Sequence, residues 1–216
     1  MTLILVADPM CSWCYGFAGQ MAQAMPRLPE AALEIRMAGL WAGGQQVLDE
    51  AAKRFRLGHW ARVEAAAGVA FNRSALLARQ GFVYDTEPIS RAFVAGRELA
   101  PRLDPLRLLT ELQQAFYLDG LDTTDDAVLA SVLARSLQRH GHAEQAARAL
   151  TVLGLPELRA STRADFEQVR AWGLSSAPKL LARRPDGQIS LLLDGFARAH
   201  EIVAAVRHGL QRQAPV

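Results

Sequence analysis

Residues 8–17 read Asp-Pro-Met-Cys-Ser-Trp-Cys-Tyr-Gly-Phe, and this segment decides the fold. It follows a short apolar run, Leu3–Val6, of the kind that forms a strand buried on both faces of a sheet. Apolar residues then recur at helical spacing from Phe17 to Leu28, and an alternating run, Leu33–Met37, predicts a second strand. The two cysteines of the segment therefore stand at the start of the helix in a strand–helix–strand unit.

The spacing of Cys11 and Cys14 favours redox chemistry over a structural role. They are the only cysteines among 216 residues, and a bridge across a two-residue gap closes almost no loop. A thiol reacts as its thiolate, and the unpaired N–H groups and dipole at a helix start stabilise that anion. We expect Cys11 to attack the substrate and Cys14, one helical turn on, to resolve the mixed disulfide.

Two other interpretations of the cysteine pair remain. The pair could be half of a zinc site completed by His140 and His142, or two ordinary core residues. The start of a strand–helix–strand unit favours the redox pair, so we expect no metal and no bound cofactor besides the redox-active disulfide. Among the five histidines, His59, followed by Trp60, is the one candidate for lining the reactive cleft.

The middle of the chain has a different, helical character. Residues 41–160 are rich in Ala, Leu, Arg, Gln and Glu, show no convincing strand pattern and are divided by prolines. Strand patterns return in residues 161–216. There, Thr162 and Asp165 suggest a capping box for a helix, followed by a hairpin around the turn Pro185-Asp186-Gly187 and a final amphipathic helix.

This order of elements predicts a thioredoxin fold of the α/β class. Residues 1–40 would form its βαβ half and residues 161–216 its ββα half, preceded by a helix, with the all-helical insertion of residues 41–160 between them. Pro178 begins a strand that would otherwise be central, which is unusual because proline donates no ladder hydrogen bond. A cis proline at that place faces the Cys-x-x-Cys segment in this fold, although the sequence alone does not fix the isomer of Pro178.

The segment Asp8–Phe17 closely resembles the active-site segment of DsbA-family thioredoxin-fold proteins, specifically of the FrnE-like branch. Weaker matches extend the resemblance along nearly the whole chain: Asp85-Thr86-Glu87-Pro88, Ala115-Phe116-Tyr117 leading to Asp122-Thr123-Thr124-Asp125, and Gly173-Leu174-Ser175-Ser176-Ala177-Pro178. The resemblance implies a DsbA-like fold in which the insertion caps the active site. It also implies Cys11 as nucleophile, Cys14 as resolving thiol and Pro178 as the cis proline.

Four residues are expected to contact the substrate. Ser12 and Trp13 lie between the cysteines and should tune the redox potential, although Trp13 could equally pack within the helix. Ala177 and Pro178 would form the facing wall. Similar proteins usually carry a bulkier residue than Ala177, which implies a more open wall here. At the position of Lys179 they usually carry a small polar residue. We expect the Lys179 side chain to be exposed.

Composition limits the partners. The 24 basic residues barely exceed the 22 acidic ones, for a net charge of +2, and no basic run predicts nucleic-acid binding. No apolar stretch approaches the length of about 18 residues that predicts a membrane span. The N-terminus lacks the basic and apolar regions of a signal peptide, so we expect a cytoplasmic protein. The sequence leaves the oligomeric state open.

The resulting prediction is a thiol–disulfide oxidoreductase or isomerase that acts on protein or small-molecule thiols and disulfides. Glutathione is a candidate co-substrate. One alternative is a glutathione-dependent isomerase or transferase for a small organic substrate, although DsbA-like proteins of that type generally carry serine in place of the first cysteine. A second alternative is a binding module whose thiols are incidental to its function.

Overall fold

The computed structural model describes residues 1–211, so the last five residues of the predicted segment 161–216 lie outside the described residues. The elements in chain order are β1 (Thr2–Ala7), α1 (Ser12–Ala24) followed by a 3₁₀ turn (Met25–Arg27), β2 (Ala32–Met37), α2 (Glu50–Ala67), α3 (Arg73–Ala78), α4 (Glu87–Leu99), α5 (Pro105–Tyr117), α6 (Asp126–Arg139), α7 (Ala143–Ala146), α8 (Ala149–Leu153), α9 (Pro156–Ala171), β3 (Lys179–Arg183), β4 (Ile189–Asp194) and α10 (Ala199–Gln211).

The four strands form one mixed sheet in the order β2-β1-β3-β4. β1 pairs parallel with β2 and antiparallel with β3, and β3 pairs antiparallel with β4 through a hairpin. Seven helices, α2 to α8, separate β2 from α9. The predicted α/β fold, with a helical stretch between a βαβ half and a ββα half, is confirmed. The division at residues 40 and 160 stays a prediction.

The alternation of side chains along β1 explains why this strand lies at the centre of the sheet. Leu3 and Leu5 belong to the main core, which includes the buried face of α1, whereas Ile4 and Val6 belong to a smaller core with Val169 of α9. Successive residues of a strand point to opposite faces, so a strand covered on both faces must be apolar at every position. This is the continuous apolar pattern that the sequence shows.

The helix α1 is held by three neighbours besides the sheet. It packs against α2, α5 and α10, and its residues Phe17, Ala18 and Met21 are fully buried. Because α1 carries both cysteines at its first turn, this packing holds the reactive segment against α2, which is part of the helical stretch. In this arrangement both cysteines are largely buried.

The predicted capping box at Thr162 is wrong. α9 begins six residues earlier, at Pro156, and the Thr162 hydroxyl donates to the carbonyl of Leu158 within the helix at 2.8 Å. Asp165 is buried and accepts hydrogen bonds from Arg36 of β2 and Arg97 of α4 at 3.0 and 2.8 Å. The polar residues that resemble a helix start therefore join α9 to two neighbouring elements.

The expectation that Lys179 is exposed is also wrong. Its residue is only 7% exposed, and its ammonium forms an ion pair with Asp194, the residue opposite it across the hairpin. The aliphatic stem is covered in the sheet while the charge is neutralised by this cross-strand partner.

The turn after β2 leaves no space for a side chain at Gly39. This residue has φ +58°, and a Cβ built there would lie 2.6 Å from the ring of Phe166 on α9. We expect Gly39→Ala to lower the free energy of unfolding by about 2–4 kcal/mol, because backbone strain adds to ring overlap. Gly43→Ala is the matched control, since Gly43 has φ +75° with nothing within 4 Å. If urea denaturation showed the same loss of unfolding free energy for both variants, overlap with the Phe166 ring would not explain the effect at Gly39.

Candidate active site

Cys11 occupies the N-cap position of α1, with extended backbone angles of φ −86° and ψ 116°. The preceding turn is closed by the Cys11 N–H, which donates to the carbonyl of Asp8 at 3.0 Å. The thiol of Cys11 faces the chain segment before β3, where it lies 3.6 Å from the carbonyl oxygen of Ala177. The peptide bond between Ala177 and Pro178 is cis.

Cys14 lies one turn further along α1 and is almost fully buried, at 1% exposure. Both cysteines are free thiols. The N–H of Asp8 also donates to the Cys14 sulfur at 3.5 Å. Burial, and next the neighbouring Cys11, raise the pKa of the Cys14 thiol well above its ordinary value. Cys14 therefore needs a proton acceptor before it can act as a nucleophile.

Asp8 provides a buried carboxylate close to the cysteine pair. Its side chain is fully buried and accepts hydrogen bonds from the N–H groups of Met10 and Leu40, at 3.0 and 2.8 Å, and from the Thr86 hydroxyl. Burial raises the pKa of Asp8 to about 6, although these hydrogen bonds counteract part of the shift. An acid with this pKa exchanges its proton near neutral pH.

A cavity of about 350 Å³ opens beside Cys11. Its walls come from the segment around the nucleophile, from α2 and from the residues before β3, including Ser12, Trp13, Trp41, His59, Trp60 and Ala177. This volume falls at the lower end of the range of roughly 300–1,000 Å³ that is typical of small-molecule sites. The helical stretch thus contributes several aromatic side chains to a small site beside the thiol.

Arg56 of α2 and Tyr84 also line the cavity. The guanidinium carbon of Arg56 lies 3.4 Å from the centre of the Tyr84 ring and 5.2 Å from that of Trp41. The Tyr84 hydroxyl donates to the carbonyl of Met10, next to the nucleophile. Burial raises the pKa of Tyr84, so this phenol stays protonated and can keep donating.

No protein-family model matches the sequence, and no curated protein matches it. Among solved structures, a Nitrosomonas europaea protein that has been proposed to be a protein disulfide isomerase superposes with a TM-score of 0.84 and 26% identity, over 99% of this chain and 98% of that chain. The cytosolic disulfide reductase DsbM from Pseudomonas aeruginosa gives 0.75 and 22% over 99% and 100% of the two chains, and its structure with GSH gives 0.75 and 20%.

These likenesses span whole chains, and the Cys-x-x-Cys helix start faces a cis proline as the fold requires. The chain has a DsbA-like thioredoxin fold. The fold also extends to 2-hydroxychromene-2-carboxylate isomerase, with a TM-score of 0.63 and 10% identity over 99% of this chain and 97% of that chain. None of these structures identifies the FrnE-like branch, so that finer assignment stays a prediction.

The predicted site residues of this DsbA-like protein lie together. Cys11, Ser12, Trp13 and Ala177 all line the cavity, while Pro178 is buried behind it at the start of β3. The ring of Trp13 also packs against Phe196, with 5.6 Å between ring centres, so both roles considered for Trp13 are compatible with its position. Their contact with substrate stays a prediction.

Sequence reasoning missed three residues of this site, namely the carboxylate of Asp8, the guanidinium of Arg56 and the phenol of Tyr84. Asp8 belongs to the quoted segment, but the sequence shows it only as part of a chain-breaking Asp-Pro pair. Arg56 is one of many arginines in the helical stretch, and nothing in its spacing distinguishes it from the others. His59, the histidine that the sequence predicts for the cleft, and Trp60 both line the cavity.

The described residues provide no support for the zinc interpretation. Among residues 1–211, no group of three or more His, Cys, Asp or Glu side chains is arranged to hold a metal ion. His140, one of the two candidate ligands, lies 3.0 Å from Glu111.

Within the described part of the chain, no helix combines the length and apolar character needed to cross a membrane.

Proposed function

We propose that this DsbA-like oxidoreductase exchanges disulfides through the Cys11–Cys14 dithiol, with Cys11 as the attacking thiol and Cys14 as the resolving thiol. The observation that carries the proposal is the placement of Cys11. Its sulfur lies at a helix N-cap, faces the Ala177 carbonyl and opens into a cavity, whereas Cys14 is buried behind it. The cysteine that lines the cavity, Cys11, can reach a substrate, and Cys14 can reach only its partner.

The exchange balances as a two-electron transfer. The Cys11 thiolate attacks one sulfur of a substrate disulfide, a Cys11–substrate disulfide forms, and the other substrate sulfur leaves as a thiolate. Cys14 then attacks the Cys11 sulfur, so that the Cys11–Cys14 disulfide forms and the second substrate thiolate leaves. The protein dithiol has lost two electrons and two protons, and the substrate disulfide has become two thiols.

The second step requires that Cys14 lose its proton. Because burial raises the pKa of Cys14, water at neutral pH removes that proton poorly. The Asp8 carboxylate has a pKa of about 6 and is therefore mostly ionised at pH 7. The backbone N–H of Asp8 contacts the Cys14 sulfur, and the charge of the Asp8 carboxylate contributes to the raised pKa of Cys14, so we assign this carboxylate as the acceptor of the Cys14 proton, directly or through one water.

Glutathione is the proposed co-substrate that reduces the Cys11–Cys14 disulfide back to the dithiol. One glutathione thiolate attacks the Cys11 sulfur of the Cys11–Cys14 disulfide, and a second releases the dithiol and oxidised glutathione, which restores the two electrons. The likeness to a cytosolic disulfide reductase whose structure was solved with GSH supports this direction and a cytoplasmic location. Protein or small-molecule disulfides would be the other partners.

A glutathione redox titration tests the proposal. Purified protein is equilibrated over a series of ratios of reduced to oxidised glutathione, free thiols are trapped by alkylation, and modified cysteines are counted by mass spectrometry. We expect a single two-electron transition in which Cys11 and Cys14 lose their free thiols together. Its midpoint separates a reductant from an oxidant. Thiols that stay reduced at every ratio would contradict the dithiol mechanism.

The second candidate is a glutathione-dependent isomerase or transferase, which the likeness to 2-hydroxychromene-2-carboxylate isomerase and the small cavity favour. Such a reaction needs glutathione in the site but no resolving thiol. The same titration distinguishes the two functions, because an isomerase would show at most a Cys11–glutathione adduct, with Cys14 still free. An intramolecular disulfide at intermediate ratios supports the oxidoreductase.

A further inference from the structure

Arg56 is held in the wall of the active-site cavity without a charged partner. No carboxylate of residues 1–211 lies within salt-bridge distance of its guanidinium, whereas two arginines of α4, Arg91 and Arg97, form ion pairs. The buried carboxylate nearest the thiols, Asp8, takes its hydrogen bonds from Met10, Leu40 and Thr86 instead. The charge of Arg56 acts on the Asp8 carboxylate through space, but no carboxylate of the described residues forms an ion pair with this guanidinium.

The hydrogen-bond donors of Arg56 are also unused by the described residues. Its Nε is buried and has no acceptor, although a guanidinium carries five N–H donors and buried donors are normally paired. The face of the group is occupied by the Tyr84 ring at 3.4 Å. Stacking on one face leaves the N–H groups, which lie in the guanidinium plane, free to bind an anion edge-on.

Other titratable groups of the cavity do not supply the missing anion. His59, one turn further along α2, has its pKa lowered by burial and by the charges of Arg62 and Arg56, so it stays neutral at pH 7. Tyr84 stays protonated. The planar anion that fits a guanidinium edge best is a carboxylate, which accepts two parallel hydrogen bonds.

We propose that Arg56 binds a carboxylate of the thiol or disulfide substrate, which makes this site selective for small acidic thiol compounds. The inference rests on the proposed function, because it concerns the substrate that reaches Cys11. Arg56 lines the same cavity as Cys11, so a molecule that presents its sulfur to Cys11 can present a carboxylate to Arg56. Arg56 is then a specificity-determining residue.

The enclosure of the nucleophile supports a small substrate. Cys11 is only 7% exposed, and the approach to it passes the α2 side chains that line a cavity of about 350 Å³. A disulfide within a folded protein would have to bring its backbone into this half-open cavity. A small molecule with one sulfur and one carboxylate end needs no such rearrangement.

The test compares three disulfides that differ in charge. Reduced protein is mixed with oxidised glutathione, which carries carboxylates, with neutral bis(2-hydroxyethyl) disulfide, or with cationic cystamine, and oxidation of the dithiol is followed in time. We expect Arg56→Gln to lower the second-order rate with oxidised glutathione by about 10-fold or more and to change the rate with bis(2-hydroxyethyl) disulfide by less than about 2-fold. Arg56→Lys should retain part of the preference.

Two controls keep the outcome specific to Arg56. Arg54→Gln removes the same charge from an exposed position of α2 and should leave all three rates unchanged. S-methylglutathione, which has the carboxylates but no free thiol, should bind the wild type and bind Arg56→Gln at least about 10-fold more weakly in calorimetry. This readout does not depend on disulfide exchange.

The contradicting outcomes differ for the two proposals. If Arg56→Gln slows the neutral and acidic disulfides equally, Arg56 has only a structural role and the inference is wrong. A substrate preference for a protein disulfide that Arg56→Gln leaves intact also overturns it. By contrast, a wild type that reacts with none of the three disulfides contradicts the proposed function, while selective S-methylglutathione binding would still support the carboxylate site.

Discussion

Cys11→Ser is expected to abolish disulfide exchange, with a loss of at least about 1,000-fold in the rate of substrate reduction. A serine hydroxyl is not ionised near neutral pH and cannot form a disulfide, so no other step can replace the attack. The buried Cys14 cannot substitute, since it is 1% exposed and does not line the cavity. The rate of oxidation of reduced glutathione by a substrate disulfide, with and without protein, measures this loss.

Cys14→Ser separates attack from resolution. Cys11 should still react with oxidised glutathione, but the mixed disulfide should accumulate as one glutathione adduct per chain in mass spectra. The wild type should show this adduct only transiently. If Cys14→Ser turned over as fast as the wild type, glutathione itself would be resolving the adduct and the role given to Cys14 would be wrong. The double variant is the control for adducts at other sites.

The sequence predicts those parts of the protein that depend on local chemistry. The pair Cys11 and Cys14 at a helix start follows from the spacing and from the apolar strand before it, and Pro178 stands out because a proline is unusual at the start of a central strand. Both are properties of short segments. The mixed sheet then follows from the order of the elements along the chain.

The remaining parts depend on contacts between distant segments. Arg56 becomes distinctive only because Trp41 and Tyr84, which lie before and after it in the sequence, form the wall on which it stacks. Asp165 resembles a capping residue by spacing, but tertiary contacts with Arg36 and Arg97 determine its role. Local patterns cannot distinguish such residues from the solvated charges that surround them.

Asp8→Asn is expected to slow the resolving step by about 100-fold or more at pH 7, the lower end of the range found for general bases. Asparagine resembles aspartate in shape but cannot take the Cys14 proton. Reduced protein is mixed with oxidised glutathione, quenched with acid at intervals and analysed for the glutathione adduct, which should persist in the variant. Asp186→Asn, at an exposed turn, is the control. An unchanged resolution rate would exclude Asp8 as the proton acceptor.

The pH dependence distinguishes a proton acceptor from a residue that only shapes the site. Resolution in the wild type should rise with pH through an apparent pKa of about 6, the value for Asp8, because only the ionised carboxylate can accept the proton. Asp8→Asn should lack this rise. A variant that kept the rise, with every rate lowered equally, would indicate a structural role.

The Asp8 carboxylate should also make the free energy of unfolding depend on pH. The free energy should fall as pH rises, whereas for a salt-bridged aspartate it rises with pH. Burial raises the pKa of Asp8 from 3.8 to about 6, so the folded state binds this proton more tightly than the unfolded state. The stabilisation is complete below about pH 4 and is lost as pH rises through 6. Relative to Asp8→Asn, the wild type should therefore lose roughly 2 kcal/mol between pH 4 and 7. Asparagine also disturbs one of the hydrogen bonds from Met10 or Leu40, but that cost does not vary with pH. Urea denaturation of the reduced proteins at both pH values isolates the titrating part, and parallel curves would show that Asp8 does not ionise inside the fold.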